Sequence, residues 1–198
     1  MNTEKKKKIF LFIFIISLPI LLTLLSSKII LSTSNFNNDR SLVMNFIKSN
    51  NPDSTIFQDT TITEKEISHL LDVNKLIKSL NRTFYILLLT ITLILTYFRK
   101  NKTITNKLLF YGGITSLFLP IIVTIFSSIN FTKTFEIFHK IFFSQGNWSF
   151  PIRSFLISTF PEEFFLTKAI QIFILTIILS LITIIISKKE KLLRYIKK

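Results

Sequence analysis

The chain contains two histidines, and each lies three residues from a carboxylate. His69 precedes Asp72 in the segment TEKEISHLLDV, and His139 follows Glu136 in FEIFHKIFFSQGNWSF. Residues three apart lie on the same side of a helix. Histidine is the side chain that exchanges protons near neutral pH. We therefore expect His69 and His139 to serve together as general acid and base in one pocket.

Other chemistries fit these residues less well. A histidine in apolar surroundings is more often a tolerated polar residue than a catalyst. Two histidines and a carboxylate could bind zinc, but there is no HExxH spacing and the ligands would come from separate loops, so we expect no metal and no cofactor. The chain has no cysteine, which excludes disulfides, thiolate metal sites and a cysteine acyl-enzyme. It also lacks the GxSxG elbow of serine hydrolases.

The elements that must position the histidines are dominated by four apolar stretches. A helix needs about 20 apolar residues to cross a membrane. The first stretch follows KKKK, but its apolar run is long and no A-x-A-like site follows, so we expect a retained anchor rather than a signal peptide. Pro19 and Pro120 lie inside spans, where each frees a carbonyl that a neighbour must compensate. We predict one all-α membrane domain over 1–198, with approximate spans at 9–30, 83–98, 108–129 and 169–187.

The distribution of charge predicts the orientation of these spans. A formal charge of +14 would suggest nucleic acid as the partner of a soluble domain, but here the lysines flank apolar stretches. The segments before span one, between spans two and three, and after span four carry +3, +4 and +5. The connections 31–82 and 130–168 are close to neutral. The positive-inside rule therefore places both termini in the cytoplasm and both long loops, with the histidines, on the extracellular side of the cell membrane.

The first outer loop contains two helix signals. The stretch SLVMNFIKSN is amphipathic and ends at the turn signal NNPD. Thr63 and Glu66 have the spacing of a capping box, which predicts the start of a second helix that carries His69. Between them, TIFQDTTIT alternates enough to allow a short strand. We therefore expect a small interfacial subdomain of helices with room for short strands.

The second outer loop is unusually aromatic, with ten phenylalanines and Trp148 within residues 131–165. Phe131, Phe135, Phe138 and Phe142 recur at helical spacing, as a helix lying against the bilayer surface requires. Gly146-Asn147 is a turn signal, and Trp148 after it suits an interfacial anchor. We therefore expect the second outer loop to hold His139, a proton carrier, at the edge of an apolar pocket.

The segments TEKEISHLLDV and FHKIFFSQGNWSF…LISTFPEEFF resemble the bacterial lipoprotein intramolecular transacylase family, Lit. The resemblance covers the whole chain: four spans, a longer first outer loop, a shorter second one, and both motifs in order. The family's two histidines fall on His69 and His139, its acidic residue on Asp72 and its tryptophan on Trp148. Glu136 and Arg153 are further candidates for orienting the substrate.

The resemblance implies a reaction on diacylated lipoproteins. The sn-2 acyl chain of the diacylglyceryl-cysteine moves to the free α-amino group of the same cysteine, which gives an N-acylated lyso-form lipoprotein. One histidine would act as the base and the other as the acid or oxyanion donor, and Asp72 would orient His69. The expected partners are the lipoprotein substrate and membrane lipids, without nucleic acid, and the expected state is a monomer.

Two other functions remain open on the residues alone. One is a membrane phospholipase, or an acyltransferase that uses free phospholipid as its donor. The other is a non-enzymatic membrane accessory protein whose loops bind a partner. The accessory role predicts that both histidines can be replaced without biochemical loss, whereas an enzyme would lose its reaction.

Overall fold

A computed structural model describes residues 3–196, so Lys197 and Lys198, which contribute to the predicted cytoplasmic charge, lie outside the described residues. Within that range the chain is all-helical, as predicted, and has no strand. Its elements are α1 (Thr3–Ser32), α2 (Asn38–Lys48), a 3-10 helix (Ser54–Phe57), α3 (Glu64–Phe98), α4 (Lys102–Ile129), α5 (Phe131–Phe142), α6 (Phe155–Thr159) and α7 (Glu162–Ile196).

The short strand that the alternation in TIFQDTTIT allowed is absent from the described chain. The 3-10 helix occupies its first part instead. The carboxylate of Asp53 accepts a hydrogen bond from the backbone N–H of Thr55, at 2.9 Å. Such a side-chain contact to the nearby backbone offers it an alternative to ladder pairing. The first part of this alternating segment therefore forms a capped helical turn instead of a strand.

Among the described residues, four helices are long and apolar enough to cross a membrane, which confirms the predicted number of spans: α1, α3, α4 and α7. α3 is longer than predicted, because one helix covers both the predicted loop helix and the predicted span. No glycine or proline interrupts it. Charged residues are frequent from Glu64 to Arg82 and absent from Thr83 to Phe98. The membrane-crossing part of α3 therefore begins near Thr83, and the helix before it lies outside that part.

The chain divides into two compact units. The span unit comprises residues 1–32, 83–125 and 170–198, as far as they are described, and the loop unit comprises residues 33–82 and 126–169. The core of the span unit contains Phe14, Leu18, Leu21, Leu22, Phe84, Ile91, Ile94, Phe98 and Leu108.

Two glycines let the helices of the span unit approach closely. A Cβ added at Gly112 would lie 2.8 Å from side-chain atoms of Leu18 and Phe14. A Cβ at Gly113 would lie 2.6 Å from Ile184 and 3.2 Å from the carbonyl oxygen of Ser180. Small residues at helix contacts allow this close backbone packing in membranes. The adjacent glycines therefore fit α4 between α1 and α7.

The proline in α1 is compensated by a neighbouring helix. Pro19 cannot donate to the carbonyl of Ile15, four residues earlier. The hydroxyl of Thr115 in α4 lies 3.1 Å from that carbonyl oxygen. It lies equally close to carbonyls of its own helix, so it can donate to either. The carbonyl freed by the proline thus has a donor within reach.

The loop unit has its own apolar core. It contains Val43, Met44, Phe46, Ile47, Phe57, Leu70, Phe155 and Leu156. Asn74 of α3 is 3% exposed, and its amide nitrogen donates to the carbonyls of Ile47 and Ser49, at 2.9 and 2.8 Å. These carbonyls lie at the end of α2, which has no intrahelical donors for them. Asn74 therefore fastens the end of α2 to the helix that carries His69.

Candidate active site

The two histidines meet in the loop unit. His69 lies in the second turn of α3 and His139 in the last turn of α5. Each is buried, with 7% of its surface exposed. Their ring centroids are 5.9 Å apart and their planes are inclined by 31°. Two imidazoles from distant parts of the sequence therefore share one site.

Aromatic rings surround the pair. Phe143 lies 4.8 Å from His69 and 5.5 Å from His139, between ring centroids. Phe150 lies 5.6 Å from His69, and Trp148 lies 5.2 Å from His139. These contacts keep bulk water from most of each imidazole while leaving a few polar groups beside them. The site is an apolar enclosure with two proton carriers in it.

The tautomer of His139 follows from one hydrogen bond. Its Nδ1 lies 2.8 Å from the backbone carbonyl oxygen of Phe135, one turn earlier in α5. A carbonyl can only accept, so Nδ1 carries the hydrogen. In the neutral ring the lone pair is then on Nε2. The backbone therefore prepares Nε2 of His139 to take a proton.

Burial lowers the pKa of both imidazoles. Burial, followed by the proximity of His139, lowers the pKa of His69 from 6.5 to about 4, while the side chains of Asn147 and Asp72 act in the opposite direction. Burial also lowers the pKa of His139, and the hydrogen bond to Phe135 offsets part of that effect. Both rings are therefore neutral at pH 7, as a proton acceptor must be.

Asp72 lies near His69 but bonds to other groups. Its two oxygens accept from the ammonium of Lys75 and from the amide nitrogen of Asn147, each at 2.9 Å. Partial burial opposes ionisation of this carboxyl, but the bonds from Lys75 and Asn147 outweigh it, and its pKa lies below the usual value. Within residues 3–196 Asp72 makes no hydrogen bond to His69, although its negative charge acts on the imidazole.

The other predicted residues fall in different places. Trp148 packs against His139 and so belongs to the cluster. Glu136 is exposed, and its carboxylate pairs with Lys140 at 3.8 Å rather than with the histidine. Arg153 is exposed and, among the described contacts, has no ion pair or hydrogen bond. The structure thus brings His69, His139, Asp72 and Trp148 together, and it leaves Glu136 and Arg153 at the surface.

Glu66 is a residue whose full role the sequence did not reveal. The predicted capping box is present: the Thr63 N–H donates to Glu66 Oε2 at 2.8 Å, and the Glu66 N–H donates to Thr63 Oγ1 at 3.3 Å. Its other oxygen accepts from the backbone N–H of Leu156 at 2.8 Å. Glu66 is fully buried. It therefore joins the start of α3, one turn before His69, to α6 in the second loop.

Asn147 was also missed, because its position after Gly146 indicated only a turn. Gly146 does have a positive φ of 71°, so the turn is real. The signal that could have identified Asn147 is its place between a turn glycine and an aromatic residue of the cluster. No group of three or more metal-ligating side chains occurs in the described part of the chain. The arrangement can accept, hold and return protons beside an apolar surface.

Comparison with known proteins gives three findings. Residues 6–165 match the model of the lipoprotein intramolecular transacylase family, Lit. Two crystal structures of the membrane-integral lipoprotein intramolecular transacylase Lit from Bacillus cereus share the fold, one of them a histidine-to-arginine variant. Their TM-scores are 0.72 and, for the variant, 0.71, at 22% and 20% identity, and in each case the match covers 98% of this chain and 96% of the other.

An uncharacterized protein of Aquifex aeolicus (strain VF5) is 28% identical over 130 residues. The match covers 64% of this chain and 58% of that protein, so it spans little more than half of the relative's length.

Proposed function

Because the chain belongs to the lipoprotein intramolecular transacylase (Lit) family, we propose that it is an acyltransferase that acts on diacylated lipoproteins in the membrane. It transfers the sn-2 acyl chain of the diacylglyceryl-cysteine to the α-amino group of that cysteine. The product is the N-acylated lyso-form lipoprotein. The observation that carries this proposal is the buried histidine pair, with 5.9 Å between ring centroids.

The reaction needs the two proton carriers that the site contains. An α-amino group has a pKa near 8 and is mostly protonated at pH 7, so it must lose a proton before it can attack the ester carbonyl. After the attack, the new C–N bond leaves a second proton on nitrogen, and the glyceryl oxygen needs a proton as the C–O bond breaks. One histidine accepts the first proton, and the other moves the second from nitrogen to oxygen.

The two imidazoles suit different parts of this sequence. His139 acts as the base, because its Nδ1–H bonds to Phe135 and leaves a lone pair on Nε2. Burial lowers the pKa of His69 to about 4, so its protonated form gives up a proton readily. His69 takes the proton from the attacking nitrogen and gives it to the departing glyceryl oxygen. No covalent acyl-enzyme is formed, in agreement with a chain that has no cysteine.

The apolar surroundings serve the same reaction by positioning the substrate. Nucleophile and ester belong to one molecule, and the ring that closes passes through nitrogen, two cysteine carbons, sulfur, two glycerol carbons, the ester oxygen and the carbonyl carbon. Rings of this size close poorly without help, and orientation can supply several of the roughly 7–11 kcal/mol that proximity offers. The exposed apolar side chains of α5, Ile137, Phe138, Ile141 and Phe142, provide a surface for acyl chains.

The site faces the extracellular side in this proposal. The segments before span one, between spans two and three, and after span four carry +12 of the formal +14. The loop unit holds the connections that are close to neutral. The positive-inside rule therefore supports cytoplasmic termini and an extracellular loop unit. Mature lipoproteins with a free α-amino group would then meet the site in the outer leaflet.

The proposal is tested with the purified protein in phospholipid vesicles. The substrate is a diacylated lipopeptide whose sn-2 chain carries deuterium, and mass spectrometry of the product locates the label. We expect the labelled chain on the α-amino nitrogen and a free sn-2 hydroxyl. The variants His69→Ala and His139→Ala should lose the product, whereas Asp59→Asn, at an exposed site in the same unit, should retain it.

Three results would contradict the proposal. Unlabelled acyl chain on nitrogen, drawn from the vesicle lipid, would identify a phospholipid-dependent acyltransferase. Unchanged yield of lyso-form product from both histidine variants would remove the histidine mechanism. Release of labelled fatty acid without N-acylation would instead indicate a lipase.

A further inference from the structure

Two buried polar atoms beside the histidine pair lack a hydrogen-bond partner within residues 3–196. They are Nδ1 of His69 and Oδ1 of Asn147. A buried polar atom without a partner is unfavourable, so native structures pair nearly all of them. The Asn147 side chain lies close enough to His69 to raise the pKa of the imidazole, which is the effect of an oxygen acceptor beside a ring N–H. The two orphaned atoms therefore belong to neighbouring groups.

The orientation of the Asn147 amide is fixed from its other side. Its Nδ2 donates to Oδ2 of Asp72 at 2.9 Å and lies 3.4 Å from the hydroxyl of Ser68. An ionised carboxylate can only accept hydrogen bonds, so it selects the NH₂ end of the amide. A flipped amide would place oxygen against oxygen. The acceptor Oδ1 is consequently left for the histidine.

We propose that Asn147 is a positioning residue for His69, with its Oδ1 accepting a hydrogen bond from Nδ1–H of the imidazole. Asp72 then acts on His69 through this amide rather than by direct contact. The neutral ring has its lone pair on Nε2, the same tautomer that Phe135 imposes on His139.

The catalytic meaning of this contact rests on the proposed function. His69 becomes transiently positive when its Nε2 takes the proton from the attacking nitrogen, before it passes that proton to the glyceryl oxygen. An oxygen acceptor on Nδ1, backed by the negative charge of Asp72, stabilises the positive ring at that moment. Without it the ring can also adopt the other tautomer, in which Nε2 carries hydrogen and cannot accept.

The wild-type protein provides the first test, because its two histidines are the only ones in the chain. The protein is labelled with ¹³C,¹⁵N-histidine, freed of any histidine tag and placed in vesicles at pH 7. Solid-state NMR shifts of the ring atoms identify the tautomer, and a His139→Gln sample assigns the remaining signal to His69. We expect neutral His69 with hydrogen on Nδ1, and a dominant Nε2–H form would overturn the proposal.

Variants provide the second test. Asn147→Ala should move part of the His69 population to the Nε2–H form and lower kcat roughly 10- to 100-fold with little change in KM. Asn51→Ala removes an exposed asparagine side chain in the same unit and serves as the control. Asp72→Asn and Asp72→Ala both remove the acceptor-only carboxylate that selects the orientation of the Asn147 amide, so both should lower the Nδ1–H signal. Unchanged His69 shifts in Asn147→Ala, or changed shifts with a wild-type kcat, would refute the role.

The two proposals can fail separately. Transacylation by a wild-type protein with the Nε2–H tautomer would refute the role of Asn147 and leave the proposed function standing. The expected tautomer, altered in Asn147→Ala, in a protein that transfers no acyl chain would refute the proposed function instead. The NMR measurement needs no substrate, so it decides the contact independently of the activity.

Discussion

Replacing Glu66 by glutamine tests how the two loops are joined next to the helical turn that carries His69. The two carboxylate oxygens accept from two different backbone N–H groups, those of Thr63 and Leu156, each at 2.8 Å. A glutamine side chain has only one acceptor oxygen, and its NH₂ must face the other N–H. Whichever way the amide turns, one backbone donor loses its acceptor, either the buried N–H of Leu156 or the part-buried N–H of Thr63.

The expected loss of stability follows from the loss of this one acceptor. An orphaned buried donor costs about 1–3 kcal/mol, and the remaining bond loses the strength that the charge gave it. We expect Glu66→Gln to lower the free energy of local opening around the start of α3 and α6 by roughly 2–3 kcal/mol. Because 1.4 kcal/mol corresponds to a factor of ten, amides that exchange through this opening should exchange roughly 30- to 150-fold faster.

The assay is hydrogen exchange followed by mass spectrometry, on peptides that cover residues 63–70 and 154–158. Glu64→Gln is the matched control. Glu64 lies in the same first turn of α3 and is exposed, so its replacement removes the same charge from the helix N-terminus without breaking a buried hydrogen bond. Equal exchange rates in the two variants, in both peptides, would refute the reasoning that Glu66 joins both loops.

Three further predictions concern packing, capping and protonation. Gly113→Ala should destabilise the span unit by about 1–3 kcal/mol, measured as a lower melting temperature in detergent, because its Cβ would lie 2.6 Å from Ile184; an unchanged melting temperature would contradict this close packing. Asn74→Ala should cost about 1–3 kcal/mol and speed amide exchange in α2, since two carbonyls lose their donor; unchanged exchange in α2 would contradict it. The pKa of His69 falls from 6.5 to about 4 on folding, so the unfolded state binds more protons between these values and stability falls as the pH drops through that window. By pH 5 this loss should be about 2 kcal/mol, and His69→Gln should lack it in melts at pH 7 and pH 5; an equal loss in the variant would contradict the burial argument.

The sequence predicted the parts of the structure that depend on local pattern. The four spans follow from apolar length, and the capping box of Thr63 and Glu66 follows from a fixed spacing in the chain. The nearness of His69 and His139 was predicted from chemistry and a family resemblance, since nothing in their 70-residue separation fixes a distance. The all-α architecture could also be predicted from the sequence, because it follows from the same local patterns as the spans.

The remaining features depend on contacts between residues far apart in the sequence. Glu66 looks like an ordinary capping residue until Leu156, 90 positions later, supplies its second donor. Asn147 looks like a turn residue until Asp72 approaches from the other loop. Asp72 and Glu136 have the same spacing from a histidine. Asp72 nevertheless accepts a hydrogen bond from Asn147 beside the histidine pair, whereas Glu136 pairs with Lys140 at the surface. Spacing within one helix cannot show which face the second loop covers.

The central claim is that His69 and His139 serve one reaction as a unit, and a double-variant comparison tests it most directly. The rate of conversion of diacylated lipopeptide to the lyso form is measured by mass spectrometry for wild type, His69→Gln, His139→Gln and the double variant. We expect each single change to lower kcat by about 10²- to 10⁴-fold, and the double variant to be little slower than the slower single variant. Near wild-type rates in either single variant, or losses that multiply in the double variant, would contradict the claim.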